Sequence, residues 1–228
     1  MILENYNEAI YPIESNLQRT GGKAKMTLII LVRHGQTEWN RIERFRGRAD
    51  IPLNEAGLAQ ADAAGQRVAS AWQPTAVYSS PLSRAVKTAE AIAGHFNLPV
   101  QVHPGLADIN YGEWQGLSPE EARQRWPEAI DAWYNRPDEA RIPGGETLGQ
   151  LRQRLMASVD ELALRHPEQT IVLVGHTVTN RTILLGVLGL GNQRFWHLRQ
   201  DTCAINVIEA KAGDYTLASM NDTCHLRG

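Results

Sequence analysis

The chain has 228 residues and a net charge of −2, with 43% hydrophobic and 21% charged residues. That is an ordinary globular composition, with length for one sizeable core. It carries no electrostatic footprint for nucleic acid or for an anionic membrane surface, so positive charge for an anionic ligand has to be concentrated locally. No apolar run is long enough to span a bilayer. The two cysteines, Cys203 and Cys224, stand outside any C-x-x-C pair, which fits reduced thiols in a cytoplasmic protein better than a single disulfide.

Residues 1–25 lack the continuous apolar segment of a signal peptide and read as a polar extension ahead of a domain spanning 26–228. From Thr27 to Val32 a β-branched apolar run has the pattern of a strand buried on both faces. Asn54 caps a predicted helix that runs to about Trp72. Thr75–Tyr78 is a second strand, and Pro81 opens a helix to about His95, with Ser80 as its cap. Pro99–His103 is a third strand. Short helices are predicted over Pro119–Trp126 and Ala129–Tyr134, and a long amphipathic one over Glu146–Arg165. Thr170–Val174 is a fourth buried strand, followed by a helix over Val178–Leu188 capped by Thr177 or Thr179. Ala204–Ala210 and Tyr215–Ser219 form a terminal pair. Alternating strands and helices predict a three-layer α/β/α domain with a mostly parallel central sheet. Chemistry in such sheets collects beyond the carboxyl ends of the strands.

Four segments stand at those ends. The first is Arg33-His34-Gly35, where buried charge needs a partner. A salt-bridged arginine beside a hydrogen-bonded histidine would account for these three residues alone. The second is Ser80 to Ala85, in which Arg84 could fork onto phosphate oxygens or lie solvated on the surface. The third holds Asp108, Glu113, Glu120 and Glu121, and composition does not choose an acid among them. The fourth is Gly175-His176, with a helix start beyond it that favours an anion. Two histidines, two arginines and a carboxylate at successive strand ends are hard to explain structurally.

Arg33-His34-Gly35 with Thr37 and Asn40, Ser80-x-Leu82-x-Arg84-Ala85, Gly112-x-Trp114-x-Gly116 and Gly175-His176 resemble the histidine phosphatase superfamily, the phosphoglycerate mutase-like family. The likeness runs from Met26 to the C-terminus. It implies that His34 is a nucleophile passing through a phosphohistidine, and that Arg33, Arg84 and His176 hold the phosphoryl oxygens. It also implies that Asp108 protonates the leaving alcohol and that Asn40 and Gly47 line the pocket, with Thr177 on the substrate side. Two positions depart from the pattern. Arg46 stands where neutral residues are commoner, and Asp108 where the small-molecule branch has glutamate, which leaves Glu113 as the fallback acid.

Arginines and His176, expected as an imidazolium, would neutralise the phosphoryl oxygens without a metal or other cofactor. No Asp-rich or Cys/His ligand cluster points to a metal. The mutases of this family carry a long basic insertion after the acid. Here Asp108 runs straight into Asn110-Tyr111-Gly112, which favours hydrolysis of a small phosphomonoester over mutase activity. A non-catalytic phosphate-binding relative would be expected to have lost His34, Arg84 or His176. The Gly144-Gly145-Glu146 segment and the tail around His225 look similar to metal-independent phosphoserine phosphatases, and related tails occur in broad-specificity members. His225 could read the far end of the substrate or lie in a polar tail. Tyr111, Trp114, Trp126, Trp133 and Tyr134 could roof the pocket, but core packing is the commoner use of such residues. Leu184, Leu185, Val187, Leu188 and Leu190 similarly suit a core or a homodimer face.

Overall fold

The computed structural model describes residues 25–227 other than 212, so all of the expected extension except Lys25 lies outside the described residues. The first strand, β1 (Met26–Arg33), takes the apolar run to its charged end. After a short helix α1 (Glu38–Arg41), the helix α2 (Glu55–Ala71) begins with the Asn54 side chain accepting from the Gly57 N–H. Then come β2 (Ala76–Ser79), α3 (Ser83–Ala93), β3 (Val100–Val102), α4 (Pro119–Arg125) and α5 (Pro127–Asn135). The chain ends with α6 (Leu148–Arg165), β4 (Thr170–Gly175), α7 (Thr177–Val187), β5 (Ile205–Lys211) and β6 (Asp214–Asp222).

The strands form one six-stranded sheet in the order β3-β2-β4-β1-β5-β6. β1, β2, β3 and β4 pair in parallel, while β5 and β6 add antiparallel strands at one side. The mostly parallel sheet is therefore mixed. Side chains alternate across it, as strand geometry requires. Ile29, Leu31, Tyr78, Ile171 and Leu173 pack towards α6 and α7. Ile30, Val32, Val77, Val172 and Val174 pack towards α3, with Val68 of α2. Helices on both faces explain why β1 and β4 read as unbroken apolar runs.

Two helix starts differ from expectation. The helix after β2 begins at Ser83, not Pro81, and its Ser83 N–H donates to Asp50. Ser80 is not its cap: Leu82 holds that position, and the Ser80 hydroxyl accepts from the Leu82 N–H at 3.4 Å and meets His176 at 2.7 Å. On α7 the N-cap is His176 itself, and Thr179 occupies the reciprocal position of the capping box, accepting from the His176 N–H at 2.7 Å. The catalytic-end residue and the cap are thus the same residue.

Register brings the strand ends together. Arg33 lies opposite Gly175 and Ser79 opposite Val174. The ladder continues one residue further, with His34 N–H donating to Gly175 O and Ser80 N–H to Val174 O, both at 3.0 Å. The loop after β1 then turns tightly against the start of α2. A Cβ built on Gly35 would stand 2.3 Å from Gly57 O. A Gly35→Ala variant is expected to lose about 1–3 kcal/mol of stability through this backbone clash, which thermal or denaturant unfolding would measure.

Candidate active site

His34, Arg84 and His176 are fully enclosed, and Arg33 and Asp108 nearly so. His34 and His176 face each other with ring centroids 5.1 Å apart. His34 Nδ1 lies 2.6 Å from Gly35 O. A carbonyl only accepts, so the proton sits on Nδ1 and Nε2 carries the lone pair. Nε2 is buried and has no hydrogen-bond partner among the described residues. Burial, followed by Arg84, His176 and Arg33, holds the imidazole well below its ordinary pKa, so the ring is neutral.

His176 is fixed at both nitrogens. Arg84 Nε donates to Nδ1 at 3.3 Å, which puts the ring proton on Nε2, where it is given to the Ser80 hydroxyl at 2.7 Å. Burial and the neighbouring arginines hold His176 well below its ordinary pKa as well. The expected imidazolium is therefore corrected. In the free site His176 is neutral, because its neighbours are cations and its acceptor nitrogen already takes an arginine N–H.

Arg84 is anchored on all sides, donating to Ala49 O, Gly47 O and Asp108 Oδ2 as well as to His176. Gly47 has a φ of +49° and would bring a Cβ within 2.9 Å of Ile109 O, so glycine is required where this carbonyl turns in towards the guanidinium. Arg33 donates from Nη1 to Gln200 O at 2.7 Å, and its Nε has no partner among the described residues. Burial, then the fields of Arg46 and Arg181, pushes Arg33 down to about 9, which still leaves it charged at neutrality.

Asp108 stands 3.3 Å from Arg84 and 3.7 Å from His176 Nδ1 through Oδ2, while Oδ1 accepts from the Ile109 N–H. Burial raises its pKa against the opposing pull of Arg84. Glu113, the fallback acid, is exposed in the turn Gly112–Trp114, and no hydrogen bond joins its carboxylate to these residues.

Arg46 donates to Trp39 O and lines a cavity of about 400 Å³ together with Asn40, Phe45, Tyr111, Trp133 and Trp196. Asn40 also reaches back to the N-cap of α1, accepting from the Thr37 N–H at 2.9 Å. Tyr111, Trp114 and Trp133 are core residues whose rings pack on one another, while Tyr134 and Trp196 stack at the exposed rim. Tyr111, Trp133 and Tyr134 thus wall this cavity, which none of His34, Arg33, Arg84, Asp108 and His176 lines. The Thr177 hydroxyl is buried without a partner among the described residues. His225 has Asp222 and Arg67 as its charged neighbours, and no hydrogen bond joins it to His34, Arg33, Arg84 or His176. Leu184, Leu185 and Val187 are core, while Leu188 and Leu190 are exposed.

Three partners escaped the sequence reading. Ser80 holds His176. Asn180, with its amide turned to satisfy both ends, donates to His176 O and accepts from Arg33 N–H at 3.2 Å each. Arg154 of α6 grips the main chain that carries Asp108. Only the Thr179 spacing after His176 left a readable trace.

A buried, neutral histidine thus stands beside arginines at the tips of three adjacent parallel strands. A family model described as the histidine phosphatase superfamily (branch 1) matches residues 29–223. The chain belongs to that superfamily and is a phosphatase. It is similar to phosphoserine phosphatase 1 of Hydrogenobacter thermophilus, with 35% identity over 88% of this chain and 95% of that one. The metal-independent phosphoserine phosphatase of Arabidopsis thaliana is 33% identical over 90% of this chain and 85% of its own length. Among solved structures, Bacillus stearothermophilus YhfR superposes with a TM-score of 0.84 and 30% identity, covering 88% of this chain and 99% of its own.

Proposed function

We propose that this phosphatase hydrolyses small phosphomonoesters, phosphoserine foremost, through a phosphohistidine at His34 with Asp108 as proton donor and with no metal ion in the chemistry. The observation that carries the reading is the state of His34. Its Nδ1 proton is pinned by Gly35 O while Nε2 is neutral and unpartnered, as attack on phosphorus requires. Arg33, Arg84 and, from the cavity wall, Arg46 supply positive charge to the equatorial oxygens as charge spreads in transfer. Binding of the phosphoryl dianion also offsets the arginines around His176, which then donates to it.

Asp108, kept protonated longer by burial, gives its proton to the departing alkoxide. The resulting carboxylate takes a proton from the water that attacks the phosphohistidine, returning His34 and releasing inorganic phosphate. Phosphoserine is favoured because two similar curated proteins bear that name. The wide aromatic cavity also admits larger esters. Among the described residues no helix is long and apolar enough to cross a membrane, and no group of three or more His, Cys, Asp or Glu side chains is placed to hold a metal ion.

The test is phosphate release from phosphoserine, 3-phosphoglycerate, sugar phosphates and 4-nitrophenyl phosphate in excess EDTA. Turnover is expected to be unchanged by the chelator and fastest on phosphoserine. Loss of activity on chelation, restored by a divalent metal, would contradict the metal-free reading.

A further inference from the structure

Asp108 lies in an irregular stretch between the 3₁₀ turns Pro104–Leu106 and Gly112–Trp114, where no strand pairing fixes the main chain. Its backbone is held chiefly by one guanidinium instead. Arg154 donates from Nη1 to Gly105 O at 2.9 Å and Ala107 O at 2.8 Å, and from Nη2 to Asp108 O at 3.1 Å. Glu146 takes Arg154 Nε at 2.7 Å and Nη2 at 3.0 Å, and accepts from the Asn110 N–H at 3.0 Å. Glu146 N–H donates in turn to Asn110 O. Arg48 adds a weaker contact, from Nε to Asp108 O at 3.4 Å.

We infer that Arg154, oriented by Glu146, is the positioning residue that sets where the Asp108 carboxyl stands relative to the leaving oxygen. This rests on Asp108 being the proton donor. Two carbonyls on the amino side of the acid, the carbonyl of Asp108 itself and one N–H beyond it converge on one ion pair. The planar fork of arginine can meet several acceptors and a carboxylate at once, which a lysine ammonium cannot do in this geometry. The pair is mostly sheltered, with 24% and 14% of the two side chains exposed, so it is screened less than a surface pair. The segment between Pro104 and Asn110 therefore moves as one unit with α6, and the acid moves with it.

On the step that forms phosphohistidine, which kcat/KM reports, a displacement of the acid should matter only where the leaving group needs a proton. Arg154→Met is expected to lower kcat/KM on phosphoserine by about 10²-fold, the scale of a roughly 1 Å misplacement. On 4-nitrophenyl phosphate, whose phenolate departs without protonation, kcat/KM should stay within about threefold of the parent. Hydrolysis of phosphohistidine, in which Asp108 serves as base for both esters, is shared and does not enter this ratio. Arg154→Lys, which keeps the charge and most of the packing, is expected to shift the ratio of the two kcat/KM values by about tenfold in the same direction. That variant decides the matter if the methionine variant does not fold.

Equal losses of kcat/KM on both esters would mean that Arg154 only supports the fold, and an unchanged kcat/KM ratio in both variants would overturn the inference. Asp108→Asn measured alongside separates the two layers. If it discriminates between the esters and the Arg154 variants do not, the positioning role fails alone. If it does not discriminate, the assignment of the acid fails.

Discussion

Replacing His34 by alanine is expected to abolish phosphate release, with kcat falling by about 10⁴–10⁶-fold, the loss seen when a covalent nucleophile is removed. The fold should survive. His34 forms no ion pair, its Nε2 bonds to nothing among the described residues, and its Nδ1 contact is to the adjacent carbonyl. The strand end is held by main-chain bonds from His34 N–H to Gly175 O and from Cys203 N–H to His34 O, which alanine retains. Circular dichroism and thermal unfolding would report the fold, and steady-state phosphate release the activity. A rapid acid-free quench should recover a phosphoryl group on the parent and none on the variant. A variant retaining a tenth or more of parental kcat would remove His34 from the nucleophile's role.

Asp108→Asn is expected to lower kcat on alkyl phosphomonoesters by about 10²–10⁴-fold, the usual contribution of a positioned general acid. The amide oxygen can still accept from the Ile109 N–H, while its NH2 then stands where Oδ2 accepted from Arg84. The pH profile gives the sharper reading. Asp108 acts protonated, and burial raises its pKa above the ordinary carboxyl value. The active form therefore persists to higher pH than it would for an exposed aspartate and is lost as pH rises through the raised pKa. His34 acts neutral, and its pKa is depressed, so activity is lost on the acid side only as pH falls well below the ordinary histidine range. In Asp108→Asn the high-pH limb of kcat should disappear while the acid limb remains. Persistence of both limbs would place the proton on another group.

Much of the architecture was legible because it follows from short-range rules. The unbroken apolar runs at β1 and β4 can only be strands covered on both faces, and Asn54 and the spacing after it announce α2. The start of α3 was misplaced for a physical reason. Pro81 suits a first helical turn, but the helix begins at Ser83, whose N–H donates to Asp50, a contact between two distant segments. Thr177 and Thr179 both look like caps, while the residue that caps α7 is a histidine. Side-chain hydroxyls have strong local preferences, yet the geometry of a strand end entering a helix placed His176 there.

The candidate site divides along the same line. Strand-end logic singled out Arg33, His34, Arg84 and His176 because burying such groups needs a chemical reason, while the choice of Asp108 among four acids came from the family resemblance. Which nitrogen of each histidine carries its proton was decided only by the tertiary structure, since Gly35 O and Arg84 Nε must be in place before the tautomers are defined. The charge of His176, the exposure of Glu113 and the grip of Arg154 on the Asp108 segment were decided there too. These are properties of fields and contacts between residues far apart in the chain. Residue identity determines what each group can donate, accept or ionise, and the packed fold determines which of those capacities its neighbours leave in use.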